Sequence, residues 1–183
     1  MCCPGDPASL SFPAIEAAQP EAASRLRLSI VEEDGDWSGF GPAEPAIDRA
    51  AAALARHPHC RLERDGEASI VLGSNALVQR LNRSYRAKDA PTNVLSFPYQ
   101  RPPGVADGGY LGDVVLAAET VLREAVERGI EPTRHLQHLV VHGLLHLLGH
   151  DHQTDAEAEA MERLETEILA TLGIADPYGV SPA

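Results

Sequence analysis

Three histidines near the C-terminal end of the chain have the spacing of a metal site. His142 and His146 are four residues apart, so on a helix their imidazoles project from one face, one turn apart. Gly149 permits a sharp turn after that helix, because glycine accepts backbone angles that end helices, and the turn can bring back His152 as a third ligand. Three protein ligands and an open fourth position are typical of catalytic zinc, whereas structural zinc usually has four ligands. The spacing therefore predicts a metal-dependent hydrolase.

The residue that follows His142 restricts the class of hydrolase that the motif indicates. Zinc peptidases of the long histidine motif have Glu there as general base, whereas this chain has Gly143. The ligands are kept and the peptidase base is absent, which disfavours peptide hydrolysis by that route. The chain has eight histidines, so one pair at helical spacing could arise by chance. The third histidine and the intervening glycine favour the metal site.

The hydrophobic pattern predicts the elements that must position these histidines. Pro132 and Thr133 should open the histidine helix, which is apolar nearly all round and should therefore be central and buried. Thr154 with Glu157 forms a capping box for a last helix, whose inward stripe should be apolar while its acids face water. Strands are predicted at residues 25–31, 67–72, 93–97 and 111–116, and further helices at 46–56, from Ser74 or Asn75 onward, and at 118–128. The expected fold is a single α+β domain, with a four-stranded sheet packed with about five helices.

Length and composition set the boundaries of this domain and its compartment. Residues 1–24 are rich in Ala and Pro without a clear period and are predicted to be a poorly ordered extension; 25–175 form the domain and 176–183 a tail. An odd number of cysteines without a metal or disulfide spacing is typical of a reducing interior. No secretory signal and no stretch of membrane-spanning length is found, so a cytoplasmic location is expected.

The charge is distributed unevenly. The net charge of −12 argues against a generally cationic nucleic-acid binder. Residues 77–101, however, have five basic residues and one acid, whereas residues 151–183 have eight acids and one base. A local basic stretch can receive a polyanion, although charge alone favours a solvated face.

Three blocks of sequence together resemble one known family. Residues 138–152 (HLVVHGLLHLLGHDH) resemble the metal motif of the YbeY family of bacterial endoribonucleases. Residues 81–98 (LNRSYRAKDAPTNVLSFP) resemble its other signature, and residues 111–115 (LGDVV) match its following strand. Their order and separation agree with the family, and the resemblance spans roughly residues 26–173.

The resemblance implies a mixed sheet, a zincin-like histidine helix and one bound metal ion, generally taken to be zinc. It implies cleavage of single-stranded RNA in maturation of the 3′ end of 16S ribosomal RNA and in ribosome quality control. It also implies contact with the small ribosomal subunit and its assembly factors. His142, His146 and His152 fall on the family's metal ligands, and Arg86 falls on an arginine regarded as essential for activity. His150 is a departure, because the family usually has Tyr there, and it ranks below His152 as a ligand.

Other residues near the motifs have alternative roles that the sequence leaves open. Arg86 suits phosphate charge, because its planar fork matches phosphate, but a structural salt bridge with Asp89 is the alternative. His138, one turn before His142, is expected to orient a ligand, touch substrate or lie in the core. Asp151 is expected to hold an imidazole tautomer or to cap a turn.

Four residues of the second signature are candidates for RNA contact. A structural role in a turn or at a strand edge is favoured over RNA binding for Ser96 and Asn93. Core packing is favoured over base stacking for Tyr85 and Phe97. No general base is identifiable. Two rival functions remain at this point: a metallohydrolase of another class, such as a peptidase, and a non-catalytic ribosome-assembly factor with a structural metal.

Overall fold

Four strands form one mixed sheet. The structure is a computed structural model that describes residues 25–60, 62–103 and 108–179, so the predicted extension of residues 1–24 lies outside the described residues. The strands are β1 (Leu26–Glu32), β2 (Gly66–Gly73), β3 (Val94–Pro98) and β4 (Tyr110–Ala117). Their order is β1-β2-β4-β3, with β1 and β4 parallel to β2, and β3 antiparallel to β4. The prediction of a mixed four-stranded sheet is confirmed.

Five α-helices pack with this sheet, as predicted for an α+β domain. They are α1 (Ala43–Arg56), α2 (Asn75–Arg86), α3 (Ala118–Arg128), α4 (Pro132–Leu147) and α5 (Asp155–Thr171). Helix α1 begins three residues before the predicted start at Ala46, because Pro45 lies in the first turn, where its missing N–H has no partner to lose. The Ser74 hydroxyl caps α2 by accepting from the backbone N–H of Leu77, and the capping box of α5 is present.

Helix α4 is the centre of the core. It contacts α1, α3, α5, β3 and β4, and the side chains of Leu136, Val140 and Leu145 are completely buried. The prediction of a central, buried histidine helix is therefore confirmed. Burial on almost every side explains why the helix is apolar nearly all round.

Gly143 sets how closely α4 approaches the sheet. A Cβ at this position would lie 2.5 Å from Cγ1 and 3.0 Å from Cγ2 of Val114 on β4, and 3.2 Å from the Ser96 hydroxyl on β3. Carbon atoms not bonded to each other pack at about 3.5–4.0 Å, so a side chain at this site would force Val114 or the helix to shift. The Ser96 hydroxyl also donates to the Gly143 carbonyl over 3.3 Å. Gly143 therefore holds the histidine helix directly against the sheet.

Within the described residues, no helix is both long and apolar enough to cross a membrane.

Candidate metal centre

The three predicted ligands converge at the end of α4. His142 and His146 project from its last two turns, and Gly149 follows with a φ of +90°, the left-handed conformation expected for the turn. One ring nitrogen from each of His142, His146 and His152 lies within 4.8 Å of the other two. His142 and His146 are partly buried, whereas His152 is exposed. The turn thus brings the third imidazole back to the first two.

The distances suit one small cation. The Nε2 atoms of His142 and His146 are 3.2 Å apart. Two nitrogens that bind one zinc ion at about 2.05 Å in tetrahedral geometry are about 3.3 Å apart, so this pair already has the spacing of two ligands. Because the three nitrogens lie within 4.8 Å of one another, the exposed His152 needs to approach by at most about 1.5 Å to reach the same spacing. The donor set of three neutral imidazoles fits zinc or another first-row transition ion.

Glu165 is the functional residue that the sequence prediction missed. Its carboxylate is buried, with 1% of the residue exposed, and its Oε1 lies 2.8 Å from Nδ1 of His142. Its Oε2 lies 2.8 Å from Nε2 of His138. The prediction that the acids of α5 face water is therefore wrong at this position. The signal was its spacing, because Met161, Glu165 and Ile168 follow one another at four and three residues on the apolar face of α5.

Glu165 is held as an anion by its neighbours. Burial alone would raise its pKa, but hydrogen bonds from His138, His142 and Tyr178 lower the pKa of Glu165 to about 2. A carboxylate only accepts hydrogen bonds, so Nδ1 of His142 must carry the proton. Nε2 of His142 is then left with its lone pair facing His146. This is the tautomer that a metal ligand requires.

Burial also prepares His146 to bind a cation. Burial lowers the pKa of His146, and the neighbouring His142 and His152 lower it further. A hydrogen bond to the backbone of His150 and the charge of Asp151 act in the opposite direction. The neutral imidazole is thereby favoured, and neutral imidazole is the form that coordinates metals.

His138 and Asp151, two other candidates of the motif, are not among the three converging ligands. His138 is buried and shares the Glu165 carboxylate with His142, and its ring also meets the His142 ring edge-on with centroids 6.5 Å apart. Asp151 accepts from the backbone N–H of His152 over 2.8 Å and from the Gln153 amide over 2.6 Å, which is a turn-capping geometry. Among the ion pairs of the described residues, the one that joins Asp151 to an imidazole has its Oδ1 3.9 Å from Nδ1 of His146.

Arg86 lines the same open cleft as the histidines. The cleft is lined by Arg86, Val94, Ser96, Pro98, His142, His146, Asp151, His152 and Gln153. Arg86 is exposed at the C-terminal end of α2, and no acid of the described chain forms an ion pair with it. Asp89, its suggested structural partner, instead accepts from Gln79 over 2.9 Å and lies 4.0 Å from Arg83. The guanidinium of Arg86 is therefore available to an anion in the cleft.

Two of the other candidates for RNA contact have structural partners. Ser96 donates to the backbone of α4, and the Asn93 amide donates to Glu124 over 2.9 Å. Phe97 is partly buried, but Tyr85 is 70% exposed and meets Phe97 edge-on with ring centroids 5.1 Å apart. Core packing is therefore wrong for Tyr85, because its position in the last turn of α2 points it to solvent.

Comparison with known proteins agrees with the motif resemblance. A family model described as Endoribonuclease YbeY matches residues 43–173. Proteins called Endoribonuclease YbeY from Parvibaculum lavamentivorans and Azorhizobium caulinodans are 46% and 47% identical to this chain, over 86% and 85% of it and over 88% and 98% of their own lengths. A third, from Rhodospirillum rubrum, is 48% identical over 84% of this chain and 82% of its own length.

The fold has a counterpart of known structure. A solution structure of a Thermotoga maritima protein matches with a TM-score of 0.50 over 85% of this chain and 100% of that chain. Its sequence is 22% identical, so this likeness supports the fold alone. Together with the family model and the relatives at 46–48% identity, it leaves one assignment: the chain belongs to the YbeY endoribonuclease family.

Proposed function

We propose that this protein is a metal-dependent endoribonuclease that cuts single-stranded RNA. The observation that carries the proposal is the cleft, which is lined both by three converging imidazoles and by an arginine that has no acidic partner in the described chain. A cation and a guanidinium in one cleft suit a phosphodiester, whose charge increases on the phosphorus oxygens during cleavage. The names of the relatives, Endoribonuclease YbeY, support the same reaction class.

Each wall of the cleft has a distinct role in this reaction. His142, His146 and His152 would hold the ion, which when bound supplies Lewis acidity toward a phosphoryl oxygen and lowers the pKa of a water molecule. Arg86 would bind the phosphate oxygens through its planar fork. The exposed position of Arg86 at the end of a helix lets it reach a substrate backbone without breaking any ion pair of the described chain. The attacking oxygen is water or the 2′-hydroxyl of the RNA, and no side chain of the cleft is assigned as base.

We infer that the ion is zinc and that the native substrate is precursor 16S ribosomal RNA, matured at its 3′ end in the cytoplasm. Three histidines with an open fourth position support zinc in a catalytic site. Family membership and the basic residues of 77–101 support an RNA substrate presented by the small ribosomal subunit. The overall net charge of −12 limits non-specific RNA binding, so contacts with subunit proteins or assembly factors would help to bring the cleft to its substrate.

The geometry opposes the peptidase alternative. A glutamate at position 143 would place its Cβ 2.5 Å from Val114, so the site of the peptidase base is closed by packing. The assembly-factor alternative requires a structural ion, yet structural zinc is usually closed by four protein ligands and the described chain brings three together. Both alternatives are separated from the proposal by one experiment.

The experiment combines elemental analysis with cleavage of a single-stranded RNA by the wild type and three variants. The wild type should contain about one metal ion per chain and cut the RNA, and His142→Ala should lose both properties. Arg86→Glu should keep its metal and lose cleavage by about 10²-fold or more. Arg134→Glu is the matched control, because Arg134 is an exposed arginine paired with Glu131 at the far end of α4. Full cleavage by chelator-treated wild type would refute the proposal.

A further inference from the structure

The chain after α5 folds back along that helix. The Thr166 hydroxyl of α5 donates to Oδ1 of Asp176 over 3.1 Å, and the same oxygen accepts from the backbone N–H of Tyr178 over 2.9 Å. Asp176 therefore fixes a turn of residues 176–178 on the side of α5. This C-terminal turn lies beyond residue 173, where the match to the family model ends.

The turn directs Tyr178 toward the buried carboxylate beneath the histidines. The Tyr178 hydroxyl donates to Oε2 of Glu165 over 2.5 Å, and its ring meets the ring of His138 edge-on at 5.9 Å. Burial and the charge of Glu165 raise the pKa of Tyr178, so its hydroxyl keeps its proton. Tyr178 is thus a permanent donor to the carboxylate.

Glu165 consequently accepts from three side-chain donors. Oε2 accepts from Tyr178 and from Nε2 of His138, and this leaves Oε1 to accept from Nδ1 of His142 alone. Two donors on one oxygen fix the carboxylate plane, and a fixed plane fixes the rotation of the His142 ring. The order of contacts runs from the C-terminal turn through Glu165 to a predicted metal ligand.

We propose that Glu165 and Tyr178 are positioning residues of the metal centre, so that the C-terminal turn helps to set metal affinity. The inference rests on the metal site of the proposed function, but not on RNA cleavage. Side chains that orient metal-binding histidines typically change metal affinity by about 10–100-fold when they are replaced.

The substitution Glu165→Gln tests the first step of this order. If the Gln oxygen faces His142, its NH₂ group faces two other donors. If its NH₂ group faces His142 instead, Nδ1 of His142 must accept, and the proton moves to the nitrogen that should bind the ion. Either orientation is unfavourable, so zinc affinity should decrease about 10–100-fold.

The substitution Tyr178→Phe tests the second step. It keeps the ring against His138 and removes one donor from Oε2, so affinity should decrease by about threefold to tenfold, less than in Glu165→Gln. Because Tyr178 is argued to act through Glu165, the double variant should bind zinc no more weakly than Glu165→Gln alone.

Two matched controls separate positioning from general loss of packing. Glu124→Gln removes a carboxylate that accepts from His135 over 2.8 Å. His135 is also on α4, but it is not at the metal centre. Tyr110→Phe removes a hydroxyl that donates to Asp113 over 2.6 Å on the sheet. Both controls should bind zinc with wild-type affinity even where they lower stability.

The measurement is the zinc dissociation constant of the full chain by competition with a chromophoric chelator, together with the visible absorption spectrum of the Co²⁺-loaded protein. Circular dichroism confirms folding of each variant. The inference requires weaker zinc binding and an altered Co²⁺ spectrum in both test variants and in neither control. It is overturned if Tyr178→Phe binds zinc within twofold of the wild type, or if its effect adds to that of Glu165→Gln. A wild type that binds no zinc would instead refute the metal site of the proposed function.

Discussion

Replacing Gly143 by alanine measures how tightly the histidine helix is held against the sheet. The new methyl carbon would lie 2.5 Å from Cγ1 of Val114, about 1 Å inside an ordinary carbon contact. Val114 is completely buried on a central strand, so a shift of its methyl groups would disturb the packing around it. Overpacking of this kind costs about 1–3 kcal/mol, whereas alanine in place of glycine favours a helix by about 1 kcal/mol. We expect Gly143→Ala to lower the free energy of unfolding by about 1 kcal/mol.

Removal of the opposing methyls should reverse the sign of this effect. Val114→Ala deletes both Cγ atoms and should cost about 2 kcal/mol on its own. In that background the alanine at position 143 finds space, so the helix preference dominates and Gly143→Ala should stabilise by up to about 1 kcal/mol. The coupling energy between the two substitutions should therefore be about 2 kcal/mol, within the range for residues in contact.

Urea denaturation in the presence of a chelator measures these free energies without a contribution from bound metal. The single variants, the double variant and the wild type form one cycle. If Gly143→Ala alone stabilises the protein by about 1 kcal/mol, the close approach of α4 to β4 is refuted, and with it the packing argument against a peptidase base at this position.

Three further predictions concern stability and accessibility. Burial lowers the pKa of His135 below 6.5 despite its hydrogen bond to Glu124. The contribution of neutral His135 to the free energy of unfolding is therefore complete above pH 6.5 and is lost as the pH falls. Denaturation at pH 7 and pH 5.5 should show a smaller decrease in this free energy for His135→Gln than for the wild type. Thr154→Ala removes the capping box with Glu157 and should lower the free energy of unfolding by about 1 kcal/mol in urea denaturation. Cys60 is 3% exposed, and burial raises its pKa to about 11, so at pH 8 a thiol reagent should modify it only in denaturant, as read by peptide mass spectrometry.

The ligands could be predicted from the sequence because their geometry is local. A separation of four residues fixes two imidazoles on one helix face, and a glycine three residues later permits the return of the third. The same locality explains why the capping box of Thr154 and the core role of α4 were found. These features depend on residues within one or two turns of each other, and their backbone conformation follows from residue type.

The cleft itself could not be predicted in this way. Arg86 ends α2, and His142 and His146 lie near the end of α4; they come to one cleft because both helices pack on β3 and β4. Tyr85 shows the same limit. Its aromatic character suggested the core, and its ring does meet Phe97 of β3, but at the last turn of α2 the sheet leaves 70% of the residue exposed.

Glu165 shows what a position within an apolar stripe reveals about a charged residue. Residue type alone assigned it to solvent, because glutamate is rarely buried without partners. Its place between Met161 and Ile168 assigned it to the core, and only one arrangement satisfies both facts: a buried carboxylate surrounded by donors. The donors it finds are two histidines of α4 and the tyrosine of the C-terminal turn. A charge inside a hydrophobic stripe therefore indicates nearby buried donors, and in a chain with a histidine helix those donors are the imidazoles that the charge orients.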